Sequence, residues 1–91
     1  MNKYERKPEY TLDLHGQTTQ EARETLDNLI REGKYNHVRI ITGKASFRDA
    51  GPVLRNFVQG YLRERGISFI FAKLGDGGEG ALEVFLKQAP N

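Results

Sequence analysis

Two side chains capable of acid–base chemistry stand two residues apart in the segment Asp13-Leu14-His15-Gly16. Side chains alternate between the faces of a strand, so Asp13 and His15 are expected on one face, with Cα atoms roughly 6–7 Å apart. An imidazole exchanges protons near neutral pH, and a neighbouring carboxylate can orient or charge it. Gly16 lets a backbone or a ligand approach closely. The pattern suits phosphodiester chemistry; the alternative is an exposed strand-end histidine beside a solvent-facing acid.

The elements that must position this pair follow from hydrophobic periodicity. Residues 10–15 alternate as a first strand. Thr18 with Glu21 three positions later is typical of a capping box, and the helix that it opens should end at Gly33. A β-branched second strand is predicted over 37–42, with His37 expected at the surface.

The second half of the chain predicts a further helix and two strands. Pro52 is well placed as a first helical residue, and Gly66 ends that helix. Gly60 inside it costs up to ~1 kcal/mol against alanine, for which close packing on the sheet is a possible reason. The apolar run over 67–74 is expected to be a central strand. A glycine-rich loop over 75–80 then leads to a final strand over 81–87.

The element order βαβαββ predicts an α/β two-layer sandwich, with two helices on one face of a four-stranded mixed sheet. The last two strands should form an antiparallel pair. Residues expected to face the helices are Leu12, Val38, Ile40, Leu82 and Val84, and those expected on the open face are Thr11, Asp13, His15, Arg39, Glu83, Phe85 and Lys87. Such a face could stack and neutralise single-stranded nucleic acid; an ordinary amphipathic sheet is the alternative.

Composition sets the class of protein. The chain has 91 residues, enough for one domain, here expected over 10–87 between a flexible arm (1–9) and a tail (88–91). It has no cysteine, which excludes disulfides and thiolate chemistry. No apolar run approaches a membrane span and no signal peptide is visible, so a cytoplasmic location without membrane contact is expected. The net charge of +2 permits nucleic-acid binding without indicating it.

Four segments together resemble the small MutS-related (Smr) domain over about residues 10–87. They are Leu12-Asp13-Leu14-His15-Gly16, Glu21-Ala22, Ile41-Thr42-Gly43-Lys44 and Gly77-Gly78-Glu79-Gly80-Ala81-Leu82. The resemblance implies a fold similar to the C-terminal domain of translation initiation factor three. It also implies binding to DNA or RNA and, in several members, endonuclease activity.

The resemblance assigns roles to particular positions. Asp13 and His15 match the positions most often given to catalysis. Thr42, Gly43 and Lys44 match the second motif, and Gly77, Gly78 and Gly80 match the third. Ala45 stands where the second motif has a glycine, and this loses freedom for positive φ and close backbone approach. A non-catalytic nucleic-acid-binding module is therefore the alternative to an endonuclease.

The predicted site lies where parallel strands one and two end, an edge at which open α/β sheets bind ligands. Helix starts there attract anions, and Lys44, Arg48 and Arg55 could contact phosphates; a solvated charged surface is the alternative. The loop over 75–80 could cradle phosphate or simply connect two strands. A divalent ion would help in DNA cleavage, but no ligand set is identified. A ribosome-docking adaptor remains a third class, and nothing demands more than a monomer.

Overall fold

A computed structural model describes residues 7–43, 51–73 and 80–86 of the chain. These residues form β1 (Tyr10–Asp13), α1 (Thr19–Glu32), β2 (His37–Ile41), α2 (Gly51–Glu64), β3 (Ser68–Phe71) and β4 (Ala81–Phe85). The element order is the βαβαββ expected from the sequence. None of the helices described is long and apolar enough to cross a membrane.

The four strands form one mixed sheet in the order β1-β2-β4-β3. β1 and β2 are parallel, so their C-terminal ends lie at the same edge of the sheet, as predicted. β4 is antiparallel to both β2 and β3, which confirms the antiparallel pairing of the last two strands. The α/β sandwich with a mixed sheet is therefore confirmed.

The expectation that the third strand is central is wrong, because β3 lies at the edge of the sheet. Its Ile70 and Phe71 remain 59% and 55% exposed, while Phe69 packs against the core. Since β4 returns between β2 and β3, its residues, like those of β2, have a neighbouring strand on both sides. An apolar run shows that a strand has residues to bury, but chain connectivity decides which strand is central.

The core lies between the helices and one face of the sheet. The strand residues predicted to face the helices are buried at Val38, Ile40, Leu82 and Val84, with Leu12 packed partly against them. The helices contribute Ala22, Leu26, Leu29, Leu54, Val58, Tyr61 and Leu62. Leu14, just after β1, is fully buried in the same cluster. This burial fixes the alternation that turns Asp13 and His15 away from the core.

Local signals at α1 are reproduced as predicted. The Thr18 hydroxyl accepts a hydrogen bond from the Glu21 N–H, and the Glu21 carboxylate accepts one from the Thr18 N–H. Gly33 ends the helix with φ 62°, and its N–H donates to the carbonyl of Leu29. Because both ends are specified by neighbouring residues, they could be placed without knowledge of the tertiary structure.

All four strands are shorter than predicted. β1 ends at Asp13 because the chain turns through Gly16, which has φ 84°. β2 ends at Ile41 before Gly43, which has φ 89°. β3 starts after Ile67 and ends before Ala72, and β4 ends at Phe85. In β1 and β2, the polarity pattern continues past the last paired residue into turns at Gly16 and Gly43.

The expected reason for Gly60 is also wrong. A Cβ added at this position would meet no atom within 4 Å, so the sheet does not approach the helix closely there. The described structure contains no contact that requires a glycine at this position. Gly60 is therefore a position where α2 loses stability without a packing gain.

Candidate active site

Backbone hydrogen bonds join the three motif segments at the C-terminal edge of the parallel strands. The Leu14 N–H donates to the carbonyl of Ile41 over 2.7 Å, which ties the turn after β1 to the end of β2. The N–H groups of Thr42 and Gly43 both donate to the carbonyl of Gly80, over 2.9 and 3.2 Å. The first, second and third motifs are therefore contiguous in space although they are distant in sequence.

At this edge the Asp13 and His15 side chains meet. The Asp13 Oδ1 lies 2.5 Å from His15 Nδ1 and also accepts a hydrogen bond of 3.0 Å from the His15 backbone N–H. A carboxylate is an acceptor, so Nδ1 carries the proton in this contact, and Nε2 is left as the nitrogen available to a ligand. The imidazole is 69% exposed and the carboxylate 49% exposed. The pair is thus oriented internally and open to a large substrate.

The same contact shifts the protonation of both groups. The hydrogen bond that His15 Nδ1 donates to Asp13, supported by the negative charge of the carboxylate, raises the pKa of His15 above its ordinary 6.5. In return, the side-chain and backbone hydrogen bonds from His15 lower the pKa of Asp13 below its ordinary 3.8. The shared contact therefore favours an anionic carboxylate beside an imidazole that holds its proton to a higher pH.

Two glycines border the pair for different physical reasons. Gly43 has φ 89°, and a Cβ built on it would lie 3.4 Å from the Cβ of His15. Gly16 has φ 84°, but a Cβ there would meet nothing within 4 Å. Gly16 is therefore needed for the shape of the turn and not for the close approach inferred from the sequence. Gly43 has a left-handed conformation, and a side chain at this position would contact His15, which no sequence signal indicated.

Thr42 is buried, whereas its predicted role in nucleic-acid binding would require it at the surface. It is 1% exposed, and its Oγ1 lies 3.5 Å from the carbonyl oxygen of Gly80. Gly80 itself is buried, and its carbonyl receives both N–H groups of the second motif. In the structure these two residues hold the second and third segments together.

The start of α1 offers fewer donors than a bare helix terminus. Its capping box already uses the N–H groups of Thr18 and Glu21, which leaves those of Thr19 and Gln20 in the first turn. The Glu21 carboxylate also occupies the end of the helix that attracts anions. This helix start therefore has fewer free N–H groups to donate to a phosphate than the sequence analysis predicted.

Of the remaining predicted binding residues, one lies within the described part of the chain and four lie outside it. Arg55 is half-buried in the first part of α2 and has a partner there. Lys44, Arg48, Gly77 and Gly78 lie outside the described residues, as does Lys87 of the proposed open face. Within the residues described, no group of three or more acidic or histidine side chains could hold a metal ion.

The open face of the sheet carries charges that are already paired. Glu83, on β4, is 8% exposed and accepts hydrogen bonds of 2.6 Å from His37 Nε2 and Arg39 Nε. The expectation of a surface position for His37 is wrong, since its side chain is only 14% exposed and its ring packs against Phe85. The positive charge of this face is therefore balanced by Glu83, which weakens its attraction for a polyanion.

Comparisons with known proteins agree with this arrangement. The family model of the Smr domain matches residues 12–87. The Smr domain of Thermus thermophilus MutS2 is 28% identical, with a TM-score of 0.73 over 87% of this chain and 99% of that one. YdaL, a stand-alone small MutS-related protein from Escherichia coli, is 26% identical, with a TM-score of 0.75 over 88% of this chain and 69% of that one.

A third solved structure, the B3BP Smr domain, is 27% identical, with a TM-score of 0.69 over 88% of this chain and 80% of that one. No curated protein sequence matches the chain. The chain belongs to the Smr domain family. The family is associated in general with nucleic-acid binding, and the site described above lies on the segments that carried the resemblance.

Proposed function

We propose that this protein is an endonuclease that cleaves phosphodiester bonds in DNA or RNA at the edge where β1 and β2 end. The observation that supports the proposal is the contact between Asp13 Oδ1 and His15 Nδ1, which leaves an exposed, oriented imidazole in a domain whose family binds nucleic acid. Proton transfer by a positioned imidazole contributes typically 10²–10⁴-fold to a rate. The pair is therefore the proposed source of proton transfer in the reaction.

The proposed chemistry uses Nε2 of His15 as the proton carrier. On RNA, the 2′-hydroxyl gives its proton to Nε2, its oxygen bonds to phosphorus, and the bond from phosphorus to the 5′-oxygen breaks. The departing 5′-oxygen then takes up a proton from imidazolium. On DNA, water is the nucleophile and a divalent ion becomes more useful. Asp13 orients the ring through Nδ1 and stabilises its positive charge. Lys44 is proposed to stabilise the charge that develops on phosphate.

A non-catalytic binding module is the second candidate, and Ala45 favours it. This residue replaces a glycine of the family's second motif, so the loop that would carry Lys44 has less conformational freedom than in relatives with glycine. In that case the edge would bind DNA or RNA without cleaving it. A ribosome-docking adaptor is a third class. In each case we propose that a single chain suffices, since Asp13, His15 and Gly43 belong to the same protomer.

The test uses end-labelled RNA and DNA oligonucleotides with the wild-type protein and His15→Ala, each with and without EDTA. The proposal expects cleavage by the wild type and a loss of about 10²-fold or more in the variant. Cleavage that persists in EDTA indicates a metal-independent reaction, and cleavage abolished by EDTA indicates a required divalent ion. Equal rates for wild type and variant would contradict the role of His15.

Gel shifts at two salt concentrations separate the remaining classes. Binding that weakens as salt increases, without cleavage, supports the non-catalytic module, because phosphate contacts release counterions. Absence of binding to single- and double-stranded RNA and DNA would contradict both nucleic-acid functions and favour the adaptor.

A further inference from the structure

Two tyrosines stack on each other at the opposite end of β1 from His15. The rings of Tyr10 and Tyr35 have centroids 4.8 Å apart and lie within 5° of parallel. Tyr10 remains 40% exposed, although it is a large aromatic residue in the first position of a strand. The acid–base chemistry described above does not use this pair.

The surrounding structure holds the stack in place before any ligand arrives. Tyr35 packs against the hydrophobic core, and Tyr10 pairs in register with the buried Val38 of β2. The Glu9 carboxylate accepts a hydrogen bond of 2.5 Å from the Asn36 N–H, and the Glu9 N–H donates to the carbonyl of His37. The acidic group beside Tyr10 is therefore directed to the backbone next to Tyr35. An aromatic surface fixed in this way loses little entropy when a flat ligand stacks on it.

We propose that Tyr10, supported by Tyr35, is a stacking subsite for an unpaired nucleobase of a strand whose phosphate is held at the His15 edge. This inference rests on the proposed nucleic-acid function of that edge. Every base has a π-face, and stacking of a base on an aromatic side chain tolerates any sequence. A base can stack on Tyr10 only when it has left a duplex, so the subsite selects single-stranded segments.

The geometry of β1 fits a strand that connects the two positions. Tyr10 and Asp13 are three residues apart in an extended strand, so their Cα atoms lie about 10 Å apart at roughly 3.3 Å per residue and their side chains leave opposite faces of the sheet. Because β1 is an edge strand, a nucleic-acid strand that joins the two positions passes around this edge. A stacked strand rises about 3.4 Å per nucleotide, so about three nucleotides are the minimum that covers the distance. Lys7 and Lys34, which are close in sequence to Tyr10 and Tyr35, are exposed and carry positive charge.

The test takes advantage of the absence of tryptophan from the chain. Tyr10→Trp places one reporter at the subsite, and its emission should be quenched by a ten-nucleotide adenine oligonucleotide. An abasic oligonucleotide of the same length, which has phosphates but no bases, should bind with little quenching. Equal quenching by both, or binding of the adenine oligonucleotide without quenching, would overturn the proposal.

Affinity measurements complete the test. Tyr10→Leu should bind the ten-nucleotide strand about 5- to 150-fold more weakly than wild type, and Tyr10→Phe should bind it nearly as well. A dinucleotide, too short to connect both positions, should bind all three proteins alike. Ile70→Ser, which removes a more exposed apolar residue from the other edge strand, is the control and should leave affinity unchanged.

The outcomes separate this inference from the proposed function. Wild-type affinity in Tyr10→Leu, with cleavage retained, would overturn the stacking subsite alone. Stacking at Tyr10 without cleavage by the wild-type protein would support the subsite and contradict only the endonuclease activity. Failure of every oligonucleotide to bind would contradict both.

Discussion

His15 and Asp13 stabilise each other's charged forms, because one contact raises the pKa of the imidazole and lowers that of the carboxyl. Replacing Asp13 with asparagine removes the negative charge while keeping a side chain of similar shape. We expect the pKa of His15 to fall toward its ordinary 6.5 in Asp13→Asn. An NMR titration of the His15 ring measures this shift, and an unchanged value in the variant would contradict the assigned cause.

The sign of this shift also fixes a pH dependence. The raised pKa of His15 increases the free energy of unfolding at pH values below the pKa of His15 in the unfolded chain. This contribution is lost as the pH rises through the pKa of His15 in the folded protein. The lowered pKa of Asp13 increases the free energy of unfolding at pH values above the pKa of Asp13 in the unfolded chain. This contribution is lost as the pH falls through the pKa of Asp13 in the folded protein. The pair is therefore most stabilising between about pH 3.8 and pH 6.5, the ordinary pKa values of the two groups.

A general base must be neutral, so Asp13→Asn should also move the acidic limb of any cleavage profile to lower pH.

The two glycines beside the pair give a second prediction at the scale of the residue. Alanine at either position adopts a left-handed backbone, which costs roughly 1–2 kcal/mol. Gly16→Ala should therefore lower stability and leave His15 in place. Gly43→Ala should lower stability by the same backbone cost and also change the surroundings of His15, because the new methyl group would lie in van der Waals contact with its Cβ at 3.4 Å. Denaturant unfolding with the NMR spectrum of His15 measures both effects, and an undisturbed His15 signal in Gly43→Ala would contradict the packing argument.

The sequence was informative about the chemistry at this scale and less so about contacts. Alternation on a strand predicted that Asp13 and His15 would share a face. The proximity of Gly43 to His15 and the burial of Thr42 depend on the meeting of separate turns, which no local pattern describes. The catalytic and binding roles of these residues remain predictions.

In α2, no packing contact of the described structure requires the glycine at position 60. Gly60 lies inside the helix, and an added Cβ would meet no atom within 4 Å. We expect Gly60→Ala to raise the free energy of unfolding by about 0.5–1 kcal/mol, since alanine loses less backbone entropy in a helix. Chemical denaturation of the two proteins checks the change, and destabilisation by alanine would show that the helix needs the glycine.

The pairing of β2 with β4 depends partly on charge. Glu83 connects His37 and Arg39 across the two central strands while keeping only 8% of its surface exposed. Glu83→Ala should cost about 3 kcal/mol, the lower end for breaking a buried ion pair, because the Arg39 side chain keeps some contact with water. Glu83→Gln, which keeps one acceptor oxygen, should cost less. Equal stability of wild type and Glu83→Ala would contradict this account of the open face.

Elements were predictable where their signals were local. The Thr18 capping box and the Gly33 terminus placed both ends of α1. The position of β3 could not be read in the same way, because whether an apolar strand is central depends on where β4 returns. Likewise, the burial of His37 follows from a partner on β4 that is far away in the sequence.

At the scale of the whole molecule, the fold brings the described parts of three short motifs to the edge where β1 and β2 end. Any chemistry at this edge depends on a few side chains. The order of strands and helices followed from periodicity and from the resemblance to the Smr domain, and the structure confirms both. Cleavage does not follow from the fold, because the same edge could bind a phosphate without breaking a bond.

The most direct test compares the two histidines of the chain as matched variants. His15→Gln removes the proposed proton carrier at the edge, whereas His37→Gln keeps an N–H donor for Glu83 at the start of β2, away from that edge. With circular dichroism confirming that both are folded, single-turnover cleavage of one labelled oligonucleotide should fall about 10²- to 10⁴-fold in His15→Gln and stay near wild type in His37→Gln. Equal rates in the two variants would contradict the claim that His15 carries the reaction.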